Sequence, residues 1–136
     1  MTGPDAAFWQ ARFEARDTPW DRGGPGPQLI RWIEDRVIEP CRIAVPGCGR
    51  GWDVVELARR GFDTTAIDCT QAACDLTGQA LQAAQLKAEV VCGDALAWRP
   101  ARALDAVYEQ TCLCAMHPTC WSRYETSLAA WRSEEH

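Results

Sequence analysis

Along the chain, short apolar runs alternate with stretches whose apolar residues recur at helical spacing, and these changes mark out the elements. Residues 5–16 read as a short helix in which Trp9 and Phe13, four apart, share a face. The stretch Asp17-Thr18-Pro19-Trp20-Asp21-Arg22-Gly23-Gly24-Pro25-Gly26-Pro27 is too rich in glycine and proline to continue a helix and is a predicted loop. Gln28 to Ile38 places Leu29, Ile30, Ile33 and Val37 at helical spacing, and Pro40 stops it. Cys41 to Val45 is an apolar run bounded by proline and glycine, as expected of a central parallel strand buried on both faces. A helix from Asp53 to Arg60 directs Val54, Val55, Leu57 and Ala58 inward, and Gly61 lies where a C′ glycine belongs. Thr64 to Asp68 is the second strand. Thr70 caps a helix reaching about Gln85, with Leu76, Ala80 and Ala83 on one side. Ala88 to Cys92 and Leu104 to Tyr108 are the third and fourth strands, and a helix after Pro118 carries Trp121, Tyr124, Leu128 and Trp131 on an apolar stripe. The alternation predicts a parallel sheet in a doubly wound α/β layer, with ligands at the strands' carboxyl ends beside the switch point.

Composition narrows the class. At 136 residues the chain is one domain with room for a real core, and 47% apolar and 24% charged residues are ordinary for a globular protein. A net charge of -5 argues against a non-specific nucleic-acid binder. The start, Met1-Thr2-Gly3-Pro4-Asp5, has no basic region followed by an apolar stretch, so no signal peptide is expected. No apolar run approaches the roughly 20 residues that span a bilayer, and the expectation is a cytoplasmic protein with no membrane partner. The eight cysteines are then expected as free thiols, with Cys41, Cys69 and Cys92 acting as small hydrophobes in or beside strands. The segment Cys112-Leu113-Cys114-Ala115-Met116-His117-Pro118-Thr119-Cys120 holds zinc-ligand types without paired C-x-x-C spacing, and no metal is expected.

The candidate chemistry lies at the strand ends. Arg42-Ile43-Ala44-Val45-Pro46-Gly47-Cys48-Gly49-Arg50-Gly51-Trp52-Asp53 runs from a strand through three alternate glycines into a helix. Glycine can turn sharply and let a ligand approach the backbone, so this is a nucleoside or nucleotide cradle. Asp68 follows at about the 20-residue offset from which an acid reaches ribose hydroxyls. Asp94, after the third strand, is placed either to accept from an adenine amino group or to cap the segment that follows it. In the dinucleotide fingerprint the residue after these glycines is small, and here it is Trp52, which speaks against NAD. No G-x-x-x-x-G-K-[ST] occurs, so a P-loop is excluded. A glycine turn with a ribose acid and a third-strand acid fits S-adenosylmethionine, which carries no phosphate.

Several segments carry a resemblance: Phe8-Trp9-Gln10-Ala11-Arg12-Phe13, Thr18-Pro19-Trp20-Asp21, Val45 to Asp53, Ala66-Ile67-Asp68, and Tyr108-Glu109-Gln110-Thr111-Cys112-Leu113-Cys114-Ala115. With them the chain resembles class I S-adenosylmethionine-dependent methyltransferases, and more narrowly the thiopurine S-methyltransferase family with its thiol and halide methyltransferase relatives. The resemblance implies a mainly parallel Rossmann-like sheet, with residues 1–40 as N-terminal helices and lid loop and 41–132 as the cofactor-binding core. It implies that Trp9 and Trp20 cover the methyl donor, that Gly47, Cys48 and Gly49 form its turn, and that Asp68 holds the ribose. Cys69, Asp94, Ala95 and Glu109 complete the expected cofactor site. Trp20 and Arg123 are expected toward a small-molecule acceptor, Arg123 as a positioning candidate, with a solvated helix charge as its alternative. Methyl transfer to a soft nucleophile needs no strong base, and His117 and His136 suggest none. The Asn/Asp-Pro-Pro-Tyr/Phe signature of amino methyltransferases is replaced by Glu109-Gln110.

Family members continue beyond the last helix with three more strands, whereas Trp131-Arg132 is followed here by Ser133-Glu134-Glu135-His136. The expectation is a C-terminally truncated domain of about four strands, with the fifth to seventh missing, through a shortened coding region or a polypeptide representing an N-terminal part. An open fourth strand invites pairing. A non-enzymatic cofactor-binding or edge-pairing remnant is therefore the alternative function, and an NAD-dependent oxidoreductase fragment, resting on Gly47, Gly49 and Asp68, a lesser one.

Overall fold

The computed structural model describes residues 6–14, 23–109 and 121–132. In chain order these form α1 (Ala6–Glu14), α2 (Pro27–Glu34), β1 (Arg42–Pro46), α3 (Trp52–Arg59), β2 (Asp63–Asp68), α4 (Gln71–Ala83), β3 (Glu89–Cys92), β4 (Ala106–Val107) and α5 (Trp121–Trp131). The strands make one parallel sheet in the order β3-β2-β1-β4. The chain thus lays strands outward from β1 to β3, then returns to the other side of β1, so the switch point lies between β1 and β4. The doubly wound α/β class expected from the alternation is what forms, with four strands among the described residues.

Side chains that alternate along each strand divide into two cores, one on each face of the sheet. Ile43, Val45 and Ala66 enter one, with Leu29 of α2, Val54 and Leu57 of α3, Phe62, and Leu81 of α4. Ala44 and Ile67 enter the other, with Ala95, Leu104, and Tyr124 and Trp131 of α5. Trp131 stands edge-on to Trp98, ring centroids 5.0 Å apart, and its indole N–H donates to the Trp98 carbonyl at 3.0 Å. A buried tryptophan needs such a partner for its polar edge.

Three helices end in one motif. After α3, Gly61 adopts φ +91°, and Phe62 N–H returns to the Leu57 carbonyl at 3.0 Å. After α4, Gln85 takes the same place at φ +58°, with Leu86 N–H on the Leu81 carbonyl at 2.9 Å. After α2, Arg36 does so at φ +59°, with Val37 N–H on the Trp32 carbonyl at 2.8 Å. Each is a Schellman termination, which satisfies carbonyls the helix leaves unpaired. It corrects the expected α2, which stops at Glu34 instead of Ile38 and leaves Val37 66% exposed, off the apolar stripe.

Two further expectations change. Leu76, Ala80 and Ala83 share one side of α4, but the residues it buries are Ala73, Cys74, Thr77 and Leu81, with Thr77 against the turn after β1 and Leu81 in the first core. The fourth strand is regular only over Ala106–Val107, although Asp105 and Tyr108 N–H still bond the Arg42 and Ala44 carbonyls of β1 at 2.8 and 2.9 Å; Leu104 N–H turns instead to the Trp131 carbonyl at 2.8 Å. Cys41 packs on the first core as expected, but Cys69 and Cys92 are exposed at the strand ends and do not serve as buried hydrophobes.

A non-glycine residue in the left-handed region costs roughly 1–2 kcal/mol, part of which glycine returns through its looser unfolded chain. Gln85→Gly and Arg36→Gly should therefore each stabilise the fold by about 0.5–1 kcal/mol in urea unfolding.

Candidate functional site

The turn between β1 and α3 takes its shape from Gly47, Gly49 and Gly51, at φ +69°, +57° and +85°. Those angles lie in the left-handed region, which glycine enters without the steric cost that other residues incur. Gly47 N–H donates to the Ile67 carbonyl at 2.7 Å, fixing the turn to the end of β2. The glycines differ in their surroundings. A Cβ on Gly49 would meet nothing within 4 Å, so this side of the turn is open to a ligand. A Cβ on Gly51 would fall 2.8 Å from Thr77 Oγ1 and 3.0 Å from Thr77 Cα, so here the turn packs directly on α4. The position needing a small residue is therefore Gly51. Trp52 opens α3 and is 42% exposed, so its bulk does not exclude a dinucleotide as the sequence suggested.

Asp68 lies at the carboxyl end of β2, and its carboxylate joins three segments. Oδ2 accepts from Gly49 N–H at 3.2 Å, while Oδ1 accepts from Thr70 N–H at 3.0 Å and Thr70 Oγ1 at 2.9 Å. Thr70 Oγ1 in turn accepts from Ala73 N–H at 3.2 Å, the N-cap expected of α4. Burial pushes the Asp68 pKa above the ordinary carboxylate range, against the lowering effect of the hydrogen bonds from Thr70 and Gly49.

Thr77 is the member of this group that the sequence did not point to. Fully buried, it donates to the Gly49 carbonyl at 3.2 Å, and its hydroxyl lies 3.4 Å from Cys48 Sγ. A threonine within an alanine-rich helix carries no local signal; only its place on the 73/77/81 face marks it.

The other expected residues fall as follows. Cys48 turns its thiol toward Thr77 and packs against the first core; burial and then the Asp68 charge push its pKa up to about 12. Cys69 is exposed beside Asp68, with its pKa pushed up to about 11 by desolvation and the same charge. Cys74 is likewise raised, and its Sγ lies 3.6 Å from the Asp68 carbonyl. At neutral pH these three are thiols, so none is a ready nucleophile. Asp94 Oδ1 accepts from Leu96 N–H at 2.8 Å, which is the capping alternative; Ala95 beside it is buried. Glu109 follows β4 and is half-buried. Arg123 is exposed on α5, next to the buried Tyr124 and one turn before the buried Ser127, at the margin of the helix's packed face. Trp9 is carried on α1, but its side chain, like that of Phe13, lies outside the description. Trp20, the 110–120 segment with its cysteines and His117, and His136 also lie outside the described residues.

The family model for "Thiopurine S-methyltransferase (TPMT)" matches residues 4–134. The chain belongs to the thiopurine S-methyltransferase family. Among curated relatives, a protein named probable thiol methyltransferase 2 from Arabidopsis thaliana is 30% identical over 120 residues, covering 87% of this chain and 53% of the relative. Thiocyanate methyltransferase 1 from the same plant is 29% identical over 113 residues, covering 81% of this chain and 49% of the relative. The chain thus spans about half the length of these relatives. Solved structures agree on the fold. One described by the conversion of a disulfide bond into a thioacetal group during echinomycin biosynthesis superposes at TM-score 0.82 with 23% identity, over 93% of this chain and 55% of that one. An S-adenosylmethionine-dependent methyltransferase from Thiobacillus denitrificans, in complex with S-adenosyl-L-homocysteine, superposes at 0.70 with 17% identity, over 90% and 50%.

Two outcomes test the family turn as described. Gly49→Ala should cost about 1–2 kcal/mol through backbone strain alone, whereas Gly51→Ala should cost about 2–4 kcal/mol because it also drives into Thr77, both read from urea midpoints. Asp68 binds its proton more tightly folded than unfolded, so the stability this gives is present at low pH and is lost as pH rises from about 4 through its raised pKa. The stability of the parent relative to Asp68→Asn should accordingly fall as pH rises through that window.

Proposed function

We propose that this chain forms the donor-binding half of an S-adenosylmethionine-dependent methyltransferase acting on a small soft nucleophile: a thiol, thiopurine or halide-type acceptor. The observation that carries the reading is the family match across residues 4–134, which includes the glycine turn and Asp68. The residues present fit the donor. Gly49 leaves the outer side of the turn open, and Asp68 Oδ2 accepts one bond from Gly49 N–H, which leaves it lone-pair capacity for a hydroxyl. In this reading Asp68 holds the ribose and Gly47, Cys48 and Gly49 form the turn that cradles the donor. Asp94 lies toward the adenine, Cys69, Ala95 and Glu109 complete the donor site, and Trp9 and Trp20 cover the methyl donor.

When bound, S-adenosylmethionine supplies an electrophilic methyl group on a cationic sulfur. The protein's share is positioning and exclusion of water. Aromatic faces stabilise a cation, and an anionic acceptor cancels charge as displacement proceeds, so a dry pocket favours the step. Trp20 and Arg123 are proposed toward the acceptor. The acceptors named for the relatives, a thiol and thiocyanate, are soft nucleophiles of this kind. No helix among the described residues is long and apolar enough to cross a membrane. A cytoplasmic location and a lack of nucleic-acid binding, which the net charge of -5 favours, belong to the same proposal.

A second reading has an observation of its own. Among the described residues β4 pairs with β1 on one side only, so its other edge is available for pairing with a second copy. Sedimentation of the 136-residue chain that shows only monomer would remove it.

Calorimetric titration discriminates the donor reading from the dinucleotide one. S-adenosyl-L-homocysteine should bind with one-to-one stoichiometry and NAD should give no heat; the reverse result would replace the methyltransferase reading with an oxidoreductase one.

A further inference from the structure

Two hydrogen bonds, far apart in sequence, tie the N-terminal part of the chain to the two helices that frame the glycine turn. Gln10, on α1, accepts at Oε1 from the Ala72 N–H at 2.9 Å. Ala72 is in the first turn of α4, where N–H groups lack a partner within the helix. Thr70 takes the next of these donors, so α1 and the N-cap share the task of closing that end. The Gln10 amide is itself oriented, because its Nε2 donates to Glu14 Oε1 one turn on. At the neighbouring helix, Asp53 in the first turn of α3 accepts at Oδ1 from Gly26 N–H at 2.7 Å. Gly26 is buried and is the residue from which α2 starts.

Both bonds lie at helix starts, and these starts face the carboxyl edge of the parallel sheet, where Gly49 and Asp68 stand. We propose that Gln10 and Asp53 are positioning residues for the donor site: Gln10 docks α1 on the start of α4, and Asp53 docks the start of α2 on that of α3. The proposal rests on the donor reading above. Neither residue touches the open side of Gly49 through these bonds; each acts through the backbone it holds. Asp53 has a further advantage, since a carboxylate in the first turn of a helix interacts favourably with the N-terminal dipole and its bonds to N–H are stronger than neutral ones.

The test titrates S-adenosyl-L-homocysteine into the full chain and into Gln10→Ala, Gln10→Glu, Asp53→Ala and Asp53→Asn, with amide exchange at Ala72 and Gly26 followed without ligand. Gln10→Ala should weaken binding about fivefold and Asp53→Ala about tenfold or more, each with faster exchange at its own partner amide. Asp53→Asn keeps an acceptor oxygen in place and should restore affinity to within about threefold of the parent, which a general loss of stability would not do; Gln10→Glu keeps the acceptor but loses the donor to Glu14, and should fall between the parent and Gln10→Ala. Alanine variants that lose amide protection yet bind like the parent would overturn the positioning role and leave the donor reading standing. A parent chain that keeps both amides protected but does not bind the ligand would overturn the donor reading, and the positioning role with it.

Discussion

The arrangement depends on one carboxylate. Parallel pairing of β1 with β2 sets Pro46 beside Ile67, so the turn leaving β1 and Asp68 ending β2 emerge side by side. A run of three left-handed glycines has few conformational constraints of its own, and the bonds from Gly49 and Thr70 to Asp68 supply one from each side. The same group then fixes where α4 begins. Thr77, two turns along, receives the turn from below, and Gly51 is small because Thr77 is there. Desolvation raises the pKa of Asp68 despite three accepted hydrogen bonds, so burying this charge costs stability that the fold could avoid with an apolar residue. A half-buried acid in such a place is better explained by what it is available to bind than by the stability it adds.

What could be read from the sequence was what local chemistry decides. Thr70 at the start of α4 and Gly61 after α3 are signals because cap preferences act within a few residues. The apolar run at Ile43 to Val45 was legible because a strand covered on both faces cannot alternate. The end of α2 was not, since the left-handed residue there is Arg36, and an arginine does not announce that conformation. The buried face of α4 was misassigned for a related reason. Leucine and alanine at Leu76, Ala80 and Ala83 share one side and look like a core stripe, but the face α4 buries carries Thr77 against Gly51, Cys74 against the ends of β2 and β3, and Leu81 in the first core.

Long-range polar partners formed the other illegible class. Gln10 and Ala72 are 62 residues apart, and Asp53 and Gly26 are 27 apart. Nothing in the spacing of a glutamine on a short helix says that a distant N–H needs it. The later start of β4 belongs to the same class, because Leu104 N–H bonds a carbonyl at the end of α5, and only from Asp105 do the N–H groups reach β1. Trp52 was misleading in a different way. The glycine pattern was read in the register of a dinucleotide fingerprint, whereas the close packing falls one residue earlier, at Gly51.

The thiols around Asp68 bear on the proposed chemistry. A site built to deliver a methyl group to a soft nucleophile is a hazardous place for cysteine, because a thiolate there would compete with the acceptor. Cys48, Cys69 and Cys74 nonetheless lie close enough to Asp68 to feel its charge. Burial and that negative charge act in the same direction, and both favour the protonated thiol, whose nucleophilicity is far lower. For Cys48 the hydroxyl of Thr77, 3.4 Å from the sulfur, helps fix the side chain as well. Desolvation is thus the main reason the neighbouring sulfurs stay protonated, and the carboxylate at the end of β2, the ribose acceptor in the proposed function, adds to that effect with its charge.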